Sequence, residues 1–183
     1  KLNLIAAACE NRGIGVNGDL PWRLKNEMKY FNDMTKKVTD PTKKNVALLG
    51  RKTYFSIPKK FRPLAERLNV VLTRDPEKYE FPEDVLVFKT MDEALAKLSE
   101  PEISKDIENI WITGGSSVYK EAMESKYCYR IYLTEIKEHF ECDTFFPEIT
   151  KDFVQVPNDN GVENGVQEEN GIQYEFKIYE KQI

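Results

Sequence analysis

Histidine is nearly absent from this chain: His139 is the one copy in 183 residues. A single imidazole removes His-rich metal sites and leaves any Ser-His-Asp or Cys-His mechanism resting on that one position. Cysteine is scarce as well. Cys9, Cys128 and Cys142 are odd in number, scattered and in no metal or redox spacing, so no metal is expected and a reducing cytoplasm is the expected setting. No apolar run approaches the ~20 residues of a membrane span, and no signal-peptide pattern precedes the first strand-like run. No repeat, low-complexity tract or linker divides the sequence. Residues 1–183 are therefore expected to form one domain.

What is present suits a packed protein. Hydrophobic residues make up 40% and charged residues 32%, and 10 Phe, 9 Tyr and 2 Trp exclude a solvated coil. The net charge of −4 hides a segregation: Lys36 to Arg74 carries 11 bases against two acids, Asp40 and Glu66, while the remainder sums to −13. A basic centre in an acidic chain points to a local anionic ligand rather than a nucleic-acid surface, with a solvated basic face as the alternative.

Leu2 to Cys9 is a short, nearly continuous apolar run, the pattern of a strand buried on both faces. Asn45–Leu49, Leu68–Thr73, Val85–Phe88 and Asn109–Thr113 read the same way. Helix-period segments separate them: Leu24–Thr35, Lys52–Ile57, Met91–Ser99 and Ser117–Met123. Such alternation predicts an α/β fold, a central mostly parallel sheet flanked by helices. At the end of the chain Ile172, Tyr174, Phe176 and Ile178 alternate with polar residues. This one-faced strand is expected to form a closing antiparallel hairpin with Phe153–Val156, across a polar loop holding Asn-Gly pairs at 160–161, 164–165 and 170–171.

Three features carry chemistry. Gly13-Ile-Gly-Val-Asn-Gly18 matches G-x-G-x-x-G, but Pro21 disfavours the helix that a dinucleotide fingerprint requires, so a mobile loop over a site is the better reading. Gly114-Gly115-Ser116-Ser117 joins a strand to a helix and offers free N–H groups to an anion, although a plain strand-to-helix turn has the same pattern. Glu27 falls between Phe31 and Met34 on the helical wheel, inside an arc shared with Leu24, Met28 and Tyr30. A carboxyl facing a core needs a partner and has a raised proton affinity, which suits a ligand-binding or proton-handling acid. The alternative is a glutamate at the margin of the stripe, turned out to water.

The order of motifs then becomes specific. Gly13-Ile-Gly, Asn17-Gly-Asp-Leu-Pro-Trp22, Glu27, Tyr30-Phe31, Leu49-Gly-Arg-Lys-Thr53, Phe55-Ser-Ile-Pro58, Arg62-Pro-Leu64, Arg67, Thr73-Arg74, Trp111 to Tyr119 and Asp143-Thr-Phe-Phe-Pro147 resemble the dihydrofolate reductase family over nearly the whole chain. Glutamate rather than aspartate at position 27 resembles its eukaryotic branch.

The resemblance implies NADPH-dependent reduction of 7,8-dihydrofolate by hydride transfer and imine protonation, supporting one-carbon metabolism and thymidylate synthesis. It implies that Glu27 holds the pterin and promotes protonation through water associated with Trp22, with Thr134 hydrogen-bonded to Glu27. Ile5, Met28 and Thr113 are expected around the pterin; Phe31, Ile57 and Leu64 against the benzoyl ring; Arg67 on the glutamate carboxylate. The cofactor is expected against Ala7, Ile14, Lys52, Thr53, Gly114, Gly115, Ser116, Ser117, Val118 and Tyr119, with Arg51, Thr73, Arg74 and Lys89 around its 2′-phosphate. Antifolate binding, a monomer, and no nucleic-acid or membrane partner are further expectations.

Thr113, Met28 and Phe61 depart from the residues usual in the family, and Trp22–Lys25 is one residue shorter than in vertebrate relatives; these positions bear on inhibitor selectivity more than on activity. A reductase of another pterin or pyrimidine and a non-enzymatic nucleotide-binding protein are the competing readings. The second leaves the acid on the apolar arc unexplained.

Overall fold

The computed structural model describes residues 1–159 and 161–182. In chain order the elements are β1 (Leu2–Ala8), β2 (Gly13–Gly15), α1 (Lys25–Lys36), β3 (Lys44–Gly50), α2 (Arg51–Ser56), β4 (Arg67–Leu72), β5 (Leu86–Phe88) and α3 (Met91–Leu98). They continue as α4 (Pro101–Ser104), β6 (Ile107–Gly114), α5 (Ser116–Glu124), β7 (Cys128–Ile136), β8 (Thr144–Phe145), β9 (Phe153–Val156), β10 (Val166–Glu169) and β11 (Ile172–Lys181).

Nine strands form one sheet in the order β10-β11-β7-β1-β6-β3-β4-β5, with β9 on β11. The pairings from β7 through β5 are parallel, and those of β11 with β7, β9 and β10 are antiparallel. The α/β architecture expected from the alternating pattern is therefore present. Period-two alternation divides the buried side chains between the two faces. Leu4, Ile112, Ile131 and Leu133 pack in one cluster, whereas their neighbours Ile5, Trp111 and Tyr132 pack in another with Trp22, Met34 and Phe176.

Phe153–Val156 pairs with the last strand as expected, Val156 opposite Ile178. The intervening loop is less irregular than its composition suggests. Val166–Glu169 is a strand, and Asn170-Gly171 is the tight turn joining it to β11, both residues at positive φ (54° and 76°). The Asn160 half of the first Asn-Gly pair lies outside the described residues. The glycine motif at 13–18 opens no helix: β2 pairs with β8, and the next helix starts at Lys25. Gly13 is required by close packing, because a Cβ there would lie 2.3 Å from the Cys142 sulfur. Among the described residues, no helix is long and apolar enough to cross a membrane.

Candidate active site

The C-terminal ends of β1, β3, β4 and β6 open into one cleft of 2360 Å³, a volume well beyond the ~300–1,000 Å³ of a pocket for a single small ligand. Such ends are where open α/β sheets bind ligands. Every residue assigned above to catalysis, substrate or cofactor lines this cleft except Thr134, which lies behind Glu27 on β7 with no exposed surface.

Helix α1 carries the acid. Its wheel splits in two: Leu24 and Met34 join the core and Tyr30 stacks on Phe176 at 4.0 Å, whereas Met28 and Phe31 turn to the cleft, leaving Met28 44% exposed. Glu27 sits at the seam, 6% exposed, which excludes the solvent-turned alternative. Burial pushes its pKa up to about 7; the Thr134 hydroxyl opposes that shift and the negative charge of Glu169 adds to it. The expected Thr134 bond is not fully formed. Its Oγ1 is near enough to favour the charged carboxylate but has no partner in hydrogen-bonding geometry, as catalytic contacts often lack before a ligand tightens them. The Trp22 indole N–H beside the cleft is likewise buried and unpartnered.

Sequence reasoning missed Glu169, which no local signal could have paired with residues 143 and 144 positions earlier. Helix α1 has no side-chain cap of its own, since Leu24 stands at its N-cap. Glu169, in the hairpin of β10 and β11, supplies one: its carboxylate accepts from the Lys25 N–H at 2.8 Å and the Asn26 N–H at 2.9 Å. The phenols of Tyr30, Tyr119 and Tyr174 surround Glu27 electrostatically, and burial raises all three above their ordinary value, so they stay neutral near pH 7. Glu169→Gln is therefore expected to lower the Glu27 pKa and move the alkaline fall of activity to lower pH. An unchanged pH–rate profile would show that Glu169 acts only as a helix cap.

At the other end of the same wall, Arg67 is buried, and desolvation lowers its pKa from the usual guanidinium value. Its Nε donates to the Ala65 carbonyl (2.8 Å), and one terminal nitrogen donates to Thr35 Oγ1 (2.8 Å) and Asn32 Oδ1 (3.2 Å). Among the described residues no carboxylate lies in ion-pair contact with it. A buried cation held in place by neutral groups fits a ligand carboxylate. Between Glu27 and Arg67 the wall is apolar, built from Phe31, Ile57 and Leu64 with Phe61 exposed on the rim. Asn69 fixes Leu64 by accepting from its N–H (2.8 Å) and donating to its carbonyl (2.9 Å).

The opposite end is cationic and rich in backbone N–H groups. Gly114-Gly115 leads into α5 with no side-chain cap, so the amides of its first turn are open to an anion. A Cβ on Gly115 would lie 3.0 Å from Thr53 Oγ1, and Gly114 has φ +127°, so two glycines keep this approach clear. Tyr119 anchors the start of α5 to the sheet by donating to the Ile5 carbonyl at 2.7 Å. Thr73 is buried at the end of β4, beside exposed Arg74 and Lys89, and Arg51 lies 4.8 Å from the Tyr79 ring centroid. No acid pairs with these three cations among the described residues. An uncapped helix start and an unneutralised basic cluster along one cleft fit a phosphorylated dinucleotide.

The sequence model of the family described as dihydrofolate reductase matches residues 1–181. The chain belongs to the dihydrofolate reductase family. It is 60% identical to the dihydrofolate reductase of Aedes albopictus over 181 residues, covering 99% of this chain and 97% of that one. It is 47% identical to that of Gallus gallus over 185 residues, covering 100% and 97%. Among solved structures it is similar to Schistosoma mansoni dihydrofolate reductase, with a TM-score of 0.86, 34% identity and coverage of 99% and 98%.

Proposed function

We infer that this chain reduces 7,8-dihydrofolate to 5,6,7,8-tetrahydrofolate with NADPH. The observation that carries the reading is a buried acid and a buried, ion-unpaired guanidinium joined by one apolar wall, Glu27 and Arg67, in the cleft that also holds the cationic cluster. When bound, NADPH supplies the hydride. The chain's own residues do the rest. Glu27 accepts hydrogen bonds from the pterin amino and ring N–H groups and favours protonation of the imine nitrogen. The unpartnered Trp22 N–H is suited to hold the water that relays the proton, and Thr134 orients Glu27 from behind. Ile5, Met28 and Thr113 pack around the pterin, and the 13–22 loop excludes water when it closes.

Ala7, Ile14, Lys52, Thr53 and the segment Gly114–Tyr119 hold the nicotinamide and pyrophosphate. Arg51, Thr73, Arg74 and Lys89 hold the 2′-phosphate. We further propose that residues 1–183 work as a single domain, that the protein is a cytoplasmic monomer, and that antifolates compete at the Glu27 end. The direct test follows NADPH absorbance with and without dihydrofolate. Consumption that needs dihydrofolate and yields tetrahydrofolate supports the reading; turnover of another pterin or a pyrimidine instead would replace it.

Preference for NADPH over NADH follows from the cationic cluster. A hydrogen bond to a charged group contributes roughly 1.5–3 kcal/mol, so Arg74→Ala is expected to weaken NADPH about tenfold or more and leave NADH nearly unchanged. Equal losses for both cofactors, measured by fluorescence titration, would place the 2′-phosphate elsewhere.

A further inference from the structure

Cys9 and Cys142 lie 133 positions apart in the sequence, yet their sulfurs are 3.9 Å apart. They share a niche that exists because residue 13 is glycine: a Cβ there would lie 2.3 Å from the Cys142 sulfur and 3.0 Å from that of Cys9. Cys9 is buried just past the end of β1, and Cys142 is half-buried in the irregular stretch between β7 and β8. The third thiol, Cys128, is in a different place, packed in the core at the start of β7. The reductase reading gives none of these sulfurs a task.

We propose that Cys9 and Cys142 are a modification site, a dithiol that closes to a reversible intrachain disulfide on meeting a small-molecule disulfide oxidant, and that this bond clamps the glycine loop. Closing to a disulfide of about 2.05 Å asks for roughly 2 Å of sulfur movement, which side-chain rotation and the irregular backbone around Cys142 can supply. The more accessible Cys142 loses its proton and attacks the oxidant, releasing one small thiol and leaving a mixed disulfide. Cys9 then loses its proton and attacks the Cys142 sulfur, expelling the second thiol. The protein pair gives up two electrons and two protons, and the oxidant is reduced to two thiols.

Burial, with the neighbouring Cys9, pushes the Cys142 thiol up to about 11, so the reaction is slow at neutral pH and faster in mild alkali. The bond would act on the loop through short links. Gly13 pairs with Phe145, the Asp143 N–H donates to the Gly15 carbonyl at 2.9 Å, and the Asn17 N–H donates to the Asp143 carboxylate at 2.9 Å. Residue 142 therefore sits at the root of the contacts that seat residues 13–17.

The test is to incubate the intact protein with oxidised glutathione at about pH 9, then read its mass, its peptide map and its activity. The expected mass change is a loss of about 2 Da, the two thiol hydrogens, with Cys9 and Cys142 in one linked peptide pair and full reversal by a reductant. Free thiols are expected to fall from three to one, the survivor being Cys128. Cys128→Ser is expected to cross-link like the parent, whereas Cys9→Ser keeps glutathione on Cys142. The cross-linked protein is expected to turn over several-fold more slowly and to recover on reduction.

A stable glutathione adduct on Cys142 of the unmutated protein, a link through Cys128, a link between chains, or no reaction would overturn the dithiol site. A correct link with unchanged turnover would overturn the clamp. The mass and map do not depend on activity, so their failure is distinct from failure of the reductase reading.

Discussion

Arg67→Leu is expected to raise the Michaelis constant for dihydrofolate by roughly 10- to 100-fold while leaving that for NADPH within about twofold. The magnitude follows from the loss of a charge-assisted contact at a buried site, about 1.5–3 kcal/mol, at 1.4 kcal/mol per tenfold. A tail carboxylate held by Arg67, as proposed, would be remote from the reacting atoms and held equally before and during the reaction, so binding is expected to suffer and the turnover number to change little. The fold is expected to survive, because Leu is compatible with an apolar wall and the Thr35 hydroxyl still donates to the Phe31 carbonyl at 2.8 Å. A substrate lacking the glutamate tail separates the explanations. It should be indifferent to the substitution, and an equal loss with it would make Arg67 a structural residue.

Glu27→Gln is expected to keep the fold and lose roughly 10²–10⁴ in hydride transfer near neutral pH, the usual contribution of a general acid–base group. The amide keeps the size of the carboxyl but has neither its negative charge nor a proton that titrates near neutral pH. Stability should move the other way. Glu27 binds its proton more tightly in the folded protein, with a pKa of about 7 against an ordinary value of 4.5. Its contribution is therefore full below the ordinary value and is lost as pH rises through the folded one. At 1.36 kcal/mol per unit, the ionised side chain costs about 3 kcal/mol at pH 8 in the ligand-free protein. Glu27→Gln should relieve much of that, so urea unfolding at pH 8 is expected to show a more stable, less active protein. A variant destabilised at pH 8 would show that the carboxylate is better satisfied than its burial implies.

The parallel core of the fold was legible because strands buried on both faces leave continuous apolar runs, as in Leu2–Cys9 and Asn45–Leu49. Strand β7 was harder: Arg130 interrupts Cys128–Ile136, and its charge is met by Glu180 on the neighbouring strand β11 and by Asp159 in the loop after β9, partners far off in sequence. Strand β10 was hidden by its polarity. Val-Gln-Glu-Glu looks like loop, and it pairs because the Asn170-Gly171 turn sets its register against Ile172–Glu175.

At the site, Glu27 announced itself by breaking the apolar arc, and the glycine turn by its place between strand and helix. The division of that arc between core and cleft was not visible, because one helical face meets two surroundings. Nor were the supporting contacts, since Asn32 and Thr35 reach Arg67 across 35 and 32 positions and Glu169 reaches α1 across the sheet's far hairpin.

The most direct measurement is single-turnover hydride transfer from NADPH to dihydrofolate across pH 5 to 9, for the parent protein and Glu27→Gln. The parent is expected to lose rate as pH rises through an apparent pKa above that of free glutamate, because its acid is buried. Glu27→Gln is expected to be slow at pH 8 and to recover toward pH 5, where solution supplies substrate already protonated. Parent-like rates for Glu27→Gln at pH 8 would contradict the assignment of Glu27 and the proton-delivery mechanism built on it.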